Sequence, residues 1–312
     1  MISLLKKIYN FFNFLKVPTK FKKNYIFLSD AYKKDLEIGL NKYYYRKGND
    51  FNQKDLDDHL TERIFVSRTK IIPWLCKEVD LKNKKLLEIG SGTGSSSITF
   101  AEQGAIVTGI DVEDVSLEVA RIRAELLNLD IIYSKLSSTE IKNLKEQYDI
   151  VIYYASLEHM TVEERIESLR QSWNVLKSNG HLVVIEAPNR LWIEDTHTSE
   201  LPFFQWLPDE LAYLYSFNSK KPSFSSKYID TEYLHMNQFL RRGRGVSFHE
   251  FELAFGNLNE LQILSSLNRV VFSKGLINTF IYKKIYKMYL TYFLEHHKAF
   301  TEEYLDIIFI KD

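Results

Sequence analysis

Between residues 85 and 186, short apolar runs alternate with stripes at helical spacing. Lys85-Leu86-Leu87-Glu88-Ile89 reads as a strand closed by Gly90-Ser91-Gly92-Thr93-Gly94. A helix ending near Gly104 should follow, then a strand over Ala105–Ile110 that stops at Asp111. Val115, Val119, Ile122 and Leu126 share one helix face, and Leu129–Tyr133 and Tyr148–Tyr154 read as the third and fourth strands. Thr161 and Glu164 have capping-box spacing and open a helix striped by Val162, Ile166, Leu169, Trp173 and Leu176. Gly180 reads as a turn into a fifth strand, His181–Glu186. Alternation of this kind predicts a largely parallel sheet covered on both faces.

The flanks have a different texture. Residues 20–80 look helical, broken at Tyr43-Tyr44-Tyr45-Arg46-Lys47-Gly48; a helix beginning at Asp57-Asp58-His59 runs towards Trp74 and is limited or kinked by Pro73. Residues 188–246 hold four of the six prolines, many aromatics and the run Arg241-Arg242-Gly243-Arg244-Gly245, and read as an insertion over the carboxyl edge of the sheet. Ser247 and Glu250 restart a helix with a second capping box. Leu261–Leu264 and Leu305–Ile310 are the expected last strands, with an aromatic helical stretch between them, about 275–300, suited to the core or a dimer face. The expected division is an N-terminal helical extension, 1–80, and a sheet domain, 81–312, carrying the 188–246 cap. Within residues 1–17, Leu5, Ile8, Phe12 and Leu15 recur at helical spacing before Pro18. That basic, aromatic segment fits either a helix packed on the protein's own core or one lying on an anionic membrane surface.

Composition narrows the field. With 312 residues, 45% hydrophobic and 26% charged, the chain is long enough for one large domain. Lys and Arg number 41 and Asp and Glu 41, a balance that argues against bulk electrostatic binding of duplex nucleic acid. The single cysteine, Cys76, excludes an intrachain disulfide and fits a reducing, cytoplasmic compartment. No apolar run is long enough to span a membrane.

The chemistry centres on the first glycine turn. Ligands bind open α/β sheets at the carboxyl ends of the strands, and Asp111, 21 residues beyond Gly90, sits where a carboxylate can accept both hydroxyls of a ribose. A dinucleotide fingerprint needs a glycine at position 95, which is Ser95; the pattern here is E-x-G-x-G-x-G. It resembles motif I of the class I S-adenosylmethionine (SAM) dependent methyltransferases. Tyr148-Asp149-Ile150-Val151 with Ser156-Leu157-Glu158-His159-Met160 resembles the family's fourth-strand motif, and Leu176–Val184 its turn into the fifth. The resemblance covers about 85–186. It implies a Rossmann-like, doubly wound, mostly parallel seven-stranded α/β sheet with N-terminal helices and a cap after strand five. It also implies that Gly90, Gly92 and Gly94 border the methionine and ribose of SAM, that Glu88 orders the loop, that Asp111 binds the ribose and that Val112 packs on adenine. Many relatives carry an acid after strand three; here Ile132-Tyr133-Ser134-Lys135 has none, which leaves Ser134, backbone groups or stacking for adenine.

On the acceptor side, methyl transfer needs alignment, water exclusion and, for a hydroxyl, a base. Glu158 and His159 directly follow strand four. Asn189-Arg190-Leu191-Trp192 and Asp195-Thr196-His197 follow strand five, in a stretch resembling a bacterial subgroup of these enzymes. His197, His159 and Asp195 are the candidate catalytic residues, Asp195 if a turn lets it orient His197. Glu158, Asn189, Arg190 and Trp192 are the candidate substrate contacts. The spacing of Asp195, His197 and Glu158 is no recognised metal motif, so none is expected. The three arginines fit either a phosphate-bearing acceptor or a solvated loop paired with acids. The expected activity is O-methylation of a small-molecule, glycan or lipid-linked hydroxyl. A non-catalytic SAM-binding scaffold and, further off, an NAD(P)-dependent dehydrogenase are the competing readings.

Overall fold

The computed structural model describes residues 14–47, 53–221, 224, 233–267, 276–293 and 298–312. Seven strands form one sheet: β1 (Lys85–Ile89), β2 (Ile106–Asp111), β3 (Ile131–Lys135), β4 (Tyr148–Tyr154), β5 (Leu176–Pro188), β6 (Gln262–Ser266) and β7 (Tyr304–Ile310). Their order is β3-β2-β1-β4-β5-β7-β6. β1–β2 and β2–β3 are parallel, while β7 is antiparallel to β5 and β6. This is the Rossmann-like arrangement that the resemblance implies, and its parallel half is the sheet that the alternation predicts. No described helix is long and apolar enough to cross a membrane. Most of the 1–17 segment lies outside the described residues.

The chain divides into two compact units, Met1–Ile152 and Tyr153–Asp312, so the division falls inside β4. Within the first unit the N-terminal helices share a buried core with the helices that follow β1 and β2. Tyr32, Leu36 and Leu40 of the helix Asp30–Lys47, with Leu60 and Ile64, form one buried cluster with Ile98 and Val119. The helix Asp114–Leu126 is thereby buried on two faces. Val119 meets the N-terminal helices, and Leu117, Ala120 and Ala124 meet Tyr133 of β3. Pro73 does not end the preceding helix. The helical backbone runs from Gln53 to Glu78 through two π turns, Asp58–Glu62 and Ser67–Ile71. The second of these wider turns lies just ahead of the proline, where a regular turn would set its ring against the preceding carbonyl.

In the second unit the helix Val162–Val175 opens with the expected capping box: Thr161 N donates to Glu164 Oε2 at 2.9 Å and Glu164 N to Thr161 Oγ1 at 3.3 Å. Its buried face differs from the expected stripe. Arg165, Ser168, Leu169 and Ser172 are buried, while Val162, Ile166 and Trp173 are half-buried. The serines are inside because the buried Tyr153 hydroxyl lies 2.6 Å from both Ser168 Oγ and Ser172 Oγ. β5 begins earlier than expected, and the left-handed residue is Asn179 (φ 60°) rather than Gly180. Asparagine tolerates that conformation, and Asn179 N donates to Lys311 O at 2.7 Å. The insertion leaves β5 at Pro188 and returns at Val246, where its ends are joined: Val246 N donates to Pro188 O at 2.8 Å and Arg190 N to Val246 O at 2.9 Å. Inside it, Phe204, Ala212, Tyr213, Phe224 and Phe239 make a small core of their own.

Candidate functional site

The first unit carries the glycine turn. Gly90, Gly92 and Gly94 have φ of 74°, 52° and 75°, a left-handed run that side chains resist. Gly90 N and Ser91 N both donate to Ile110 O, at 2.9 and 3.0 Å, so the turn folds back on the end of β2. Asp111 completes the clasp: its Oδ2 accepts from Gly92 N and its Oδ1 from Glu113 N, each at 2.9 Å. A Cβ on Gly92 would meet no atom within 4 Å, so the turn is open at that point. Gly94 is different. A Cβ there would come within 2.6 Å of the Tyr133 hydroxyl and 3.0 Å of Ala120 Cβ, so Gly94 serves close packing. An open glycine, a carboxylate beside it and the exposed Val112 (59% accessible) next in sequence fit an adenosyl group. Ser134 is half-buried in β3, paired in register with Ile110.

Glu88 lies fully buried beneath the turn, and Ser96 and Ser97 donate their hydroxyls to its carboxylate. Burial pushes its carboxyl up to about 7, against the opposite pull of the two hydroxyls. Two residues that sequence reasoning missed hold the turn from behind. Arg123 Nε donates to Thr93 O at 2.8 Å, and His59 Nδ1 lies 3.0 Å from Thr93 Oγ1. The only signal for Arg123 was a charge inside an otherwise apolar stripe.

The second unit carries the candidate acceptor residues. Ala155, at the end of β4, is left-handed (φ 48°) and donates its N–H to Ile185 O at 2.8 Å. The chain then turns through Leu157–His159. Glu158 is fully buried, and neither carboxylate oxygen has a hydrogen-bond partner among the described residues. Its Oε1 lies 3.6 Å from His197 Nε2 and 3.9 Å from His159 Nε2. The other nitrogens face Thr198 Oγ1 at 3.3 Å and Arg241 O at 2.9 Å. A buried carboxylate between two imidazoles is thus the centre of the group. It is held by its backbone: Arg244 N donates to Glu158 O at 2.9 Å. The buried Arg165 donates to Leu157 O, Met160 O, Gly245 O and Arg244 O and pairs with Glu250 at 3.1 Å.

Other expected residues stand elsewhere. The Asp195 carboxylate does not meet the His197 ring. It accepts from the backbone amides of His197, Thr198 and Ser199, at 3.3, 2.8 and 2.5 Å, and so builds the turn that carries His197. Asn189 is buried, with its amide donating to Phe300 O and Glu302 O at 2.7 and 2.8 Å. Trp192 is buried with Nε1 donating to Thr301 O at 3.2 Å. Both side chains are engaged inside the fold, while Arg190 is half-buried. Of the three arginines, Arg241 pairs with Glu164 at 2.6 Å, and Arg244 pairs with Asp209 at 3.0 Å and donates to Phe204 O and Leu207 O. Arg242 lies over the Phe224 ring. The pairing of two guanidinium groups with acids favours the loop reading over a phosphate clamp.

Comparison with known proteins adds a third line. Residues 86–180 match the family described as a methyltransferase domain. Over 112 residues the chain is 30% identical to a ubiquinone biosynthesis O-methyltransferase of Pseudomonas entomophila, covering 36% of this chain and 47% of the relative. It is 36% identical over 107 residues to the protein of that name in Histophilus somni, covering 33% and 44%. The chain therefore spans about half the length of the curated relatives it matches. Among solved structures, magnesium protoporphyrin IX methyltransferase from Synechocystis with bound SAH aligns at a TM-score of 0.49 and 16% identity, covering 88% of this chain and 94% of that one.

Proposed function

We propose, from the match of residues 86–180 to the methyltransferase-domain family, that the chain is a SAM-dependent methyltransferase which O-methylates a small-molecule, glycan or lipid-linked hydroxyl. When bound, SAM supplies a methyl group already activated by the positive charge on its sulfur. Asp111 would bind the ribose hydroxyls, Gly92 would let the ligand approach the backbone, and Val112 would pack against the adenine. The clasp between Gly92 N and Asp111 supports this assignment, because it sets the carboxylate before a ligand arrives.

The observation that carries the acceptor half is the buried Glu158 carboxylate with no hydrogen-bond donor. An acceptor-only group buried with no donor among the described residues is costly, and such groups are kept where they serve a function. In this reading His197 takes the proton of the acceptor hydroxyl, and Glu158 stabilises the resulting imidazolium. A separation of 3.6 Å is longer than a hydrogen bond and shortens when the ring gains charge. His159 flanks the same carboxylate and contacts the acceptor, as does Arg190.

Incubation with isotopically labelled SAM and fractionated small-molecule and cell-envelope extracts tests this reading. The expected result is one product carrying a new O-methyl group, formed by the wild-type protein and not by Glu158→Gln. A protein that binds no SAM in calorimetry ends the reading. Wild-type turnover in Glu158→Gln ends the role of that carboxylate.

A further inference from the structure

The N-terminal helices do more than cover the sheet. Thr93 stands between the two glycines whose backbone matters most, and both of its polar groups are engaged by residues outside the turn. Its carbonyl accepts from Arg123 Nε at 2.8 Å, and its hydroxyl meets His59 Nδ1 at 3.0 Å. The same guanidinium donates Nη1 to the Tyr32 hydroxyl at 2.7 Å and Nη2 to His59 O at 2.9 Å. One fully buried cation therefore joins the glycine turn, the helix Asp30–Lys47 and the π turn Asp58–Glu62.

All three of these Arg123 acceptors are neutral, and no carboxylate pairs with it among the described residues. A buried guanidinium without a counter-ion is expensive, and burial lowers its affinity for the proton. A methionine or leucine at this position would fill the space without that penalty. What the arginine provides instead is a rigid fork of donors matching three carbonyl and hydroxyl oxygens at fixed angles. His59 is equally specific. It lies in a π turn, a geometry found preferentially at functional sites, and contributes its carbonyl to Arg123 and its ring to Thr93.

We propose that Arg123 and His59 are positioning residues which lock the Gly90–Gly94 turn in its ligand-ready form through Thr93, making the N-terminal helices part of the cofactor site. The inference rests on the SAM-binding reading for its consequence, but the lock itself is a property of the ligand-free turn. Without it the segment Gly92-Thr93-Gly94, left-handed at both glycines, has wide freedom, and that freedom must be lost on binding.

The test separates the two. Thr93→Val removes the hydroxyl at nearly constant shape, Thr93→Ser keeps it, and His59→Phe removes the ring nitrogen. Gly92 N and Gly94 N are both hydrogen-bonded, to Asp111 and Ser91 O, so their exchange with deuterium reports the turn directly. Thr93→Val and His59→Phe should each speed exchange at these amides and weaken SAM binding by about 3- to 10-fold, the size of one neutral hydrogen bond. The Val/Phe double variant should be no worse than either single one, since both break the same contact, and Thr93→Ser should behave as wild type. Unchanged amide exchange in the single variants overturns the lock, as do additive effects in the double variant. Failure of the wild-type protein to bind SAM overturns the function proposed above, while the exchange measurement still decides the lock.

Discussion

The glycine turn and the Glu158 cluster treat their carboxylates in opposite ways. Around the turn, Asp111 accepts two backbone N–H groups and Glu88 two serine hydroxyls. In the second unit Glu158 is as deeply buried as Glu88, yet among the described residues no donor lies within hydrogen-bond distance of either oxygen. The difference separates two tasks. A group that must present a fixed shape to a ready-made cofactor is satisfied in advance, and its rigidity is useful. A group that must respond to a proton arriving nearby cannot be saturated beforehand.

Breaking the unsaturated side should give the largest effect. Glu158→Gln should lower kcat by about 10²- to 10⁴-fold, the range of the general-base assistance by His197 that this carboxylate supports in the proposed reading, with SAM affinity unchanged in calorimetry. Equal losses in both would erase the distinction between the two regions. Next comes the scaffold of the same cluster. Arg165→Ala leaves Glu250 buried without its partner and several carbonyls without a donor. It should cost about 3–5 kcal/mol in denaturant unfolding. On the saturated side, Asp111→Ala should weaken SAM by roughly ten- to a few hundred-fold, from the loss of about 1.5–3 kcal/mol of charge-assisted hydrogen bonding.

The smallest effect sharpens the comparison through pH. Burial raises the Glu88 carboxyl from its ordinary 4.5 to about 7, so the folded state holds this proton where the unfolded chain has released it. Its contribution to stability is therefore fully present below about pH 4.5 and is lost as pH rises to about 7. Unfolding curves of wild type and Glu88→Gln at pH 5 and pH 8 should diverge, the wild type losing on the order of 2 kcal/mol relative to the variant over that interval. Parallel curves would mean that the two serines hold the carboxylate ionised throughout.

Local signals carried the first half of this description. The E-x-G-x-G-x-G turn, Asp111 at the end of β2 and the Thr161/Glu164 capping box are each written within a few residues, and each lies where the pattern places it. The largely parallel sheet follows from the same alternation, and its Rossmann-like form is what the resemblance implies. What could not be read depends on partners distant in sequence. Arg123 and Arg165 look like surface charges on amphipathic helices until Tyr32, His59, Gly245 and Glu250 surround them. Asp195 orients the His197 ring only if a turn brings the two side chains together, and the turn that forms is built on the Asp195 carboxylate itself. The carboxylate reaches the nearer backbone amides first, as acidic side chains in turns do. Ser168 and Ser172 broke the expected stripe for a similar reason, since only Tyr153 makes their burial favourable.

The residue 188–246 segment is stitched shut at its root by the hydrogen bonds between Pro188, Arg190 and Val246, and it encloses five aromatic and small residues as a nucleus of its own. A loop anchored in that manner behaves as a cassette. Its outer surface is free to drift, or to be grafted from a relative, without re-registering β5 against β7. A change of ligand on this scaffold therefore has a natural unit of exchange, larger than a point substitution and smaller than a domain.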